Sequence, residues 1–411
     1  MEQHTDLRSE SIYPDNLPGS ANEKTQPVWG TLTGIRPTKV AEKLLLSGKN
    51  TDLVTETLIQ TYYVTPDRAA LCTEIAQSAL TFKESICTRD IALYIGIPFC
   101  TTRCAYCSFV SNSVEKSFDL IDPFLNTLLQ EIEEIAKLTD ELGLRVICVY
   151  IGGGTPTALQ LQALEVVLTA LGRLFDFSGL REYTMEAGRP DTITEQKLEM
   201  SIRHGAKRIC INPQSMSEKV LAAIGRDHSP NDIFKAVEMV RKTEATLNMD
   251  IIAGLPGDTL KSFKNTLDTV LSFKPENITV HTLSLKKGSR IMLENTMIPS
   301  GTDVGKMLDY AAYRLRESKY SPYYLYRQKY ISGGFENTGW CIPDHEGVYN
   351  ICMMEEFCTV LALGGGGVTK LVTPDGRIER IFNAKFPREY IMMTEKMKEN
   401  IGRIRENAIS I

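Results

Sequence analysis

Tyr94-Ile-Gly-Ile-Pro-Phe-Cys100-Thr-Thr-Arg-Cys104-Ala-Tyr-Cys107-Ser-Phe109 follows directly on an apolar, β-branched run that begins at Ile91. The run reads as a strand, and the cysteines as the loop that leaves it. Three of the chain's ten cysteines fall within eight residues here, at the spacing Cys-x3-Cys-x2-Cys. One loop with that spacing can wrap three thiolates round three corners of a cubane iron–sulfur cluster. Three ligands for four irons leave one iron with an open position, and an open position is what separates a catalytic metal site from a structural one. A zinc site would need a fourth ligand. None is near, since the next cysteine is Cys148 and the next histidine is His204. The other cysteines (Cys72, Cys87, Cys148, Cys210, Cys341, Cys352 and Cys358) are scattered and read as small buried apolar residues.

Working outward, the same rhythm repeats after residue 91. Strand-like runs at Ile91–Ile97, Arg145–Tyr150, Glu182–Ala187, Arg208–Ile211, Leu247–Ile252 and Asn277–Leu283 alternate with amphipathic stretches near Pro123–Leu138, Gln160–Leu174, Thr194–His204, Asn231–Lys242 and Leu260–Phe273. In the first of those stretches Leu125, Leu128, Leu129, Ile132 and Ile135 form one apolar stripe, with glutamates opposite and Pro123 near the start. Six strands alternating with helices predict an α/β fold, a parallel sheet of right-handed βαβ units. An open sheet and a partial barrel both place the functional loops at the carboxyl ends of the strands. Residues 1–26 read as a disordered tail and 27–90 as a small helical prelude with helices at Lys39–Ser47 and Asp67–Leu80. Residues 91–300 form the core. From 301 to 411 the pattern breaks into a Tyr-rich stretch (Tyr310 to Tyr330), a Gly-rich turn and a small C-terminal domain expected to cover the substrate.

Composition narrows the class. A formal net charge of −5 gives no basic footprint for nucleic acid or an anionic membrane surface. No apolar run reaches bilayer-spanning length, and Met1-Glu-Gln-His-Thr-Asp6 lacks the pattern of a secretory signal, so the expected location is cytoplasmic. Gly152-Gly-Gly-Thr-Pro156 follows the second strand, where backbone without Cβ atoms admits a ligand closely or simply makes a tight turn. Glu186 ends the third strand, either as a solvated strand end or as an acceptor for ribose hydroxyls. Gly364-Gly-Gly-Gly367 reads as a close-packed turn, Met353 and Met354 as a core pair, and the tyrosines of 320–330 as a packing layer or the flank of a flat ligand.

The cysteine loop, its place after the first strand and the six βα units resemble the radical S-adenosylmethionine (SAM) superfamily. Tyr94-x-x-Ile97-Pro98-Phe99-Cys100 is similar to its oxygen-independent coproporphyrinogen III oxidase branch. Trp29-Gly-Thr-Leu-Thr-Gly-Ile-Arg-Pro-Thr-Lys39 and Glu336-Asn-Thr-Gly-Trp…Tyr349-Asn-Ile-Cys-Met-Met-Glu-Glu356 resemble the HemZ-type coproporphyrinogen dehydrogenases. The resemblance implies a partial TIM-like (β/α)6 barrel, a [4Fe–4S] cluster on Cys100, Cys104 and Cys107, and SAM at its open iron. It implies that Gly153, Gly154 and Thr155 meet the methionyl amino end of SAM. Tyr94, Tyr106, Glu186, Gln214, Arg226 and Asp250 match further SAM-contacting positions. The implied activity is oxidative decarboxylation of a tetrapyrrole's propionates, with flavodoxin or ferredoxin as electron donor. Four carboxylates on such a substrate call for cations, for which Arg36, Lys39 and Arg103, then Lys286, Lys287 and Arg290, are the candidates. Phe109 and Gly96 stand where the best-known oxidases carry a cysteine and a histidine. A haem-trafficking chaperone and a radical enzyme acting on haem itself therefore stay open as alternatives.

Overall fold

The computed structural model describes residues 27–32, 34, 36–107, 112–286, 288–373 and 376–408. The N-terminal tail, Phe109 and Lys287 lie outside the described residues. The chain enters through three helices, α1 (Thr38–Leu46), α2 (Thr51–Tyr62) and α3 (Pro66–Lys83). The sequence reading missed α2, whose stripe is thin: only Val54 and Leu58 are buried. Its start is marked by Asn50, whose side chain accepts a hydrogen bond from the Leu53 N–H at 2.9 Å.

The barrel strands follow. They begin with β1 (Asp90–Ile97); β2 (Phe99–Cys100) and β3 (Asn112–Ser113) then pair briefly within the cysteine loop. Next come α4 (Phe118–Leu142), β4 (Arg145–Gly153), α5 (Leu161–Leu174), β5 (Glu182–Gly188), α6 (Glu195–Arg203) and β6 (Arg208–Ile211). Then come α7 (Glu218–Ala223), α8 (Pro230–Arg241), β7 (Thr246–Ala253), α9 (Leu260–Ser272) and β8 (Asn277–Thr282). All six expected strands are present, and they are buried almost continuously because helices cover the outer face while the barrel interior covers the other. Helix α4 starts earlier than its stripe indicated, so Pro123 lies inside it rather than near its start.

After α10 (Arg290–Leu293), the Tyr-rich stretch divides into α11 (Gly301–Glu317) and β9 (Ser321–Tyr326). The chain continues as β10 (Asn337–Cys341), α12 (Val348–Glu355), β11 (Thr359–Gly364), β12 (Val368–Val372), β13 (Ile378–Phe382), α13 (Pro387–Ile391) and α14 (Thr394–Ala408). Among the described residues the main sheet runs β13-β12-β11-β1-β4-β5-β6-β7-β8-β10-β9. Strand β11 pairs parallel with β1, from Ile91–Thr359 to Gly96–Gly364, and β10 pairs antiparallel with β8. The residues beyond 300 thus extend both edges of the barrel sheet. Trp29, Ile75, Ile95, Leu168 and Leu361 belong to one continuous core, which binds the prelude to the barrel. No helix among the described residues is long and apolar enough to cross a membrane.

Candidate functional site

The barrel interior and the loops at the carboxyl ends of β1, β4, β5, β6, β7 and β8 wall a cavity of about 570 Å³, which reaches down to Glu182 and Arg208 at the starts of β5 and β6. Cys100, Cys104 and Cys107 all line it. Cys100 Sγ lies 3.4 Å from Thr155 Oγ1. Ala105 is held through both backbone groups, its N–H donating to the Ile224 carbonyl at 2.9 Å and its carbonyl accepting from the Ile291 N–H at 3.4 Å. Among the described residues no three His, Cys, Asp or Glu side chains converge on a single ion. Cys210 also lines the cavity, but burial first and the charges of Glu186 and Asp250 next push its thiol well up. That disfavours it as a thiolate ligand.

The glycine-rich turn locks against the cysteine loop. Gly154 N–H donates to the Ile97 carbonyl (2.8 Å) and Thr155 N–H to the Phe99 carbonyl (2.7 Å). A Cβ on Gly154 would stand 2.4 Å from the Phe99 carbonyl oxygen, so only glycine fits. Gly153, Gly154 and Thr155 all line the cavity.

The expected polar residues meet there too. Glu186 accepts from Tyr150 Oη on one oxygen and from Asn212 Nδ2 on the other. Burial, and then Asp250, push its carboxyl up to about 7. Asn248 Nδ2 donates to Asp250 Oδ1 at 3.0 Å, and His281 Nε2 lies 3.5 Å from Asp250 Oδ2. Arg226 donates to the Asn212 carbonyl (2.6 Å), the Gly188 carbonyl (3.3 Å) and Tyr106 Oη (3.3 Å). Gln214 sits in the left-handed region (φ 62°), pinned by backbone hydrogen bonds to Asp250 and Ile252. Three buried atoms on this wall, Asn212 Oδ1, Gln214 Oε1 and Arg226 Nε, have no protein partner. A ligand with both donors and acceptors would satisfy them, and the amino acid and ribose portions of SAM carry both. Tyr94 completes the set, its ring 5.9 Å from Tyr349, which stacks at 4.4 Å on Tyr150.

Two of the substrate cations expected from the sequence, Arg36 and Lys39, fall elsewhere. Arg36 pairs with Glu356, and Lys39 donates to Glu42 Oε2 (2.8 Å) and to the Glu355 carbonyl, so neither lines the cavity. Both anchor the C-terminal end of α12. Arg103 is exposed between the cavity-lining Thr102 and Cys104. Lys286, two residues beyond the lining Ser284, is half-buried, and its burial pulls the ammonium pKa down. Sequence reasoning missed Tyr150, Arg189, Asn212, Asn248 and His281, whose residue types are ordinary in a strand or strand end. Met353 and Met354 pack against buried apolar clusters, as read, and also line the cavity with Tyr324, Tyr326 and Asn350. That wall forms because α12 and β9 return to the barrel over a long sequence separation.

The sequence model of the radical SAM superfamily matches residues 94–270. Over 369 residues the chain is 37% identical to the oxygen-independent coproporphyrinogen-III oxidase-like protein HemZ of Bacillus subtilis, spanning 88% of this chain and 74% of that one. The heme chaperone HemW of Escherichia coli is 25% identical over 302 residues, spanning 73% of this chain and 75% of its own. Among solved structures, coproporphyrinogen III oxidase (HemN) from Escherichia coli, a radical SAM enzyme, has the same fold at a TM-score of 0.60 and 21% identity, covering 77% of this chain and 72% of that one.

Proposed function

The chain belongs to the radical SAM superfamily, in the branch of oxygen-independent coproporphyrinogen III oxidase-like proteins, and from that premise we propose that it decarboxylates the propionates of coproporphyrinogen III oxidatively. Its cofactors are a [4Fe–4S] cluster and SAM. When bound, they supply a carbon-centred radical able to take a hydrogen atom from an unactivated C–H bond. In this reading Cys100, Cys104 and Cys107 hold the cluster. Gly153, Gly154 and Thr155 keep backbone close to the amino end of SAM, while Arg226, Gln214, Glu186 and Asp250 orient its polar groups. The wall of Tyr324, Tyr326, Tyr349, Met353 and Met354 excludes water and offers a flat apolar face to a tetrapyrrole. Residues 301–411 thereby act as the substrate-covering part of the molecule. Each of the two propionates that react would give up a hydrogen atom to the radical that the bound cofactors supply, then CO2, and one electron to an external one-electron acceptor, to become a vinyl group. A flavodoxin- or ferredoxin-type protein in the cytoplasm reduces the cluster.

The observation that carries this reading is the convergence of three thiols, the glycine-rich turn and the strand-end polar groups on one cavity. A second reading, a haem-trafficking chaperone, draws on the similarity to HemW. Anaerobic incubation of reconstituted protein with SAM, a reductant and either coproporphyrinogen III or haem separates the two by product mass. Loss of CO2 from coproporphyrinogen III supports the oxidase; haem retained without turnover supports the chaperone. Beneath both lies a test of the ligands. Replacing Cys100, Cys104 or Cys107 with Ala should abolish bound iron and sulfide, whereas replacing Cys341, Cys352 or Cys358 should leave both intact. Iron lost in the second set would refute the three-ligand assignment.

A further inference from the structure

Arg189 follows Gly188 at the end of β5 and is 3% exposed. Its Nε lies 3.0 Å from Asp191 Oδ1 and its Nη2 3.1 Å from Asp191 Oδ2, a two-pronged ion pair. The third nitrogen, Nη1, reaches across to the cysteine loop and donates to Thr102 Oγ1 at 2.8 Å. Asp191 reaches the same loop, its Oδ2 accepting from Thr101 Oγ1 at 3.1 Å. Thr101 and Thr102 are consecutive residues of the three-residue span between Cys100 and Cys104. Apart from this pair, that span is tied by Ser113 Oγ, which donates to the Thr101 carbonyl at 3.3 Å. Neither the cysteine spacing nor the glycine-rich turn calls for an arginine here.

We propose that Arg189 and Asp191 are positioning residues for the cluster: one ion pair between a buried guanidinium and a more exposed carboxylate, on the neighbouring strand end, clamps Thr101 and Thr102, and so sets the separation of Cys100 and Cys104. The proposal rests on the assignment of those two cysteines as cluster ligands. A guanidinium suits the task, because its planar fork engages the carboxylate with two nitrogens and leaves the third to hold the loop. The carboxyl stays ionised near neutrality. Burial raises its pKa, but the Arg189 ion pair and the Thr101 hydrogen bond outweigh that and hold it below the ordinary range.

The test is the rate at which an iron chelator strips the reconstituted cluster, read alongside thermal stability of the cluster-free chain. Arg189→Met removes the fork but keeps bulk, and should speed iron loss by roughly ten-fold or more, since charge-assisted hydrogen bonds are lost. Adding Asp191→Asn removes the carboxylate left without its partner. The double variant should recover melting temperature but not cluster retention, which a merely structural role would not predict. If Arg189→Met fails to fold, the pair Thr101→Val and Thr102→Val cuts only the loop side of the clamp and should speed loss to a similar degree. Iron loss within about two-fold of wild type in these folded variants would overturn the proposal, because losing the bonds would then leave the loop unmoved. Wild-type protein that holds no cluster would overturn the ligand assignment first, and the clamp with it.

Discussion

Burial and the neighbouring Asp250 push the Glu186 carboxyl up to about 7 from its ordinary 4.5. The folded chain therefore binds a proton more tightly than the unfolded chain across that interval. This contribution to stability is fully present below about pH 4.5 and is lost as pH rises through about 7. Tyr150, Asn212, Cys210 and Asp250 face the group. Glu186→Gln should accordingly raise the melting temperature of ligand-free protein at pH 8 by a few degrees and have little effect near pH 5. A difference that does not vary with pH would rule this out. Glu186 and the glycines stood out in the sequence because they close or follow an apolar run, and strand ends are where an α/β fold binds ligands; Asp250, which lies inside β7, stood out only through the family resemblance. Arg189 and Asn212 were not, because their roles depend on partners contributed by other loops.

Glu131 shows at the scale of elements how a periodic pattern misleads. On the α4 helix it was read with the polar face, yet it is 5% exposed. Its oxygens accept from the Gly364 N–H (2.7 Å), Asn383 Nδ2 (2.8 Å) and Tyr390 Oη (2.5 Å). One carboxylate thus ties α4 to β11, to the turn after β13 and to α13, and its burial raises its pKa. Tyr390→Phe removes one of these bonds and should lower stability by ~1–3 kcal/mol, read by chemical denaturation, with SAM affinity unchanged. No loss of stability would mean that the Tyr390 hydrogen bond adds nothing net to the fold. The tetraglycine also resolves at this scale. A Cβ on Gly364 would stand 2.2 Å from the Gly96 carbonyl oxygen, so β11 can lie beside β1 only as glycine. Gly364 and Gly365 make the close-packed turn that the sequence reads. Gly96 is constrained in return, since its own Cβ would stand 2.7 Å from the Gly365 carbonyl oxygen.

At the scale of the whole molecule, the prelude grips the far end of the chain. Trp29 Nε1 donates to Glu336 Oε2 (2.9 Å), Thr38 Oγ1 to Glu355 Oε1 (3.0 Å), and Arg36 pairs with Glu356. Arg36→Ala with Lys39→Ala should therefore lower the melting temperature while leaving SAM affinity within about two-fold, as expected for groups outside the cavity. Weaker SAM binding in a folded double variant would restore a role for them at the site. Ending the chain at residue 300 strips β10 from β8 and β11 from β1, so two barrel strands become bare edges. Such a chain should aggregate, and a soluble monomer on size exclusion would mark 91–300 as an independent unit. The sequence by itself determined the six barrel strands, the helices between them, the cysteine spacing and the acidic strand ends. Each of these is written in local periodicity or in a few adjacent residues. Only the tertiary structure decided that β11 lies beside β1, that α12 and β9 wall the cavity, and that Arg36 and Lys39 face Glu355 and Glu356. The physical reason is that backbone hydrogen bonding is blind to sequence. A strand's own pattern shows which face it buries, but its partner hundreds of residues away is chosen by how the whole core packs.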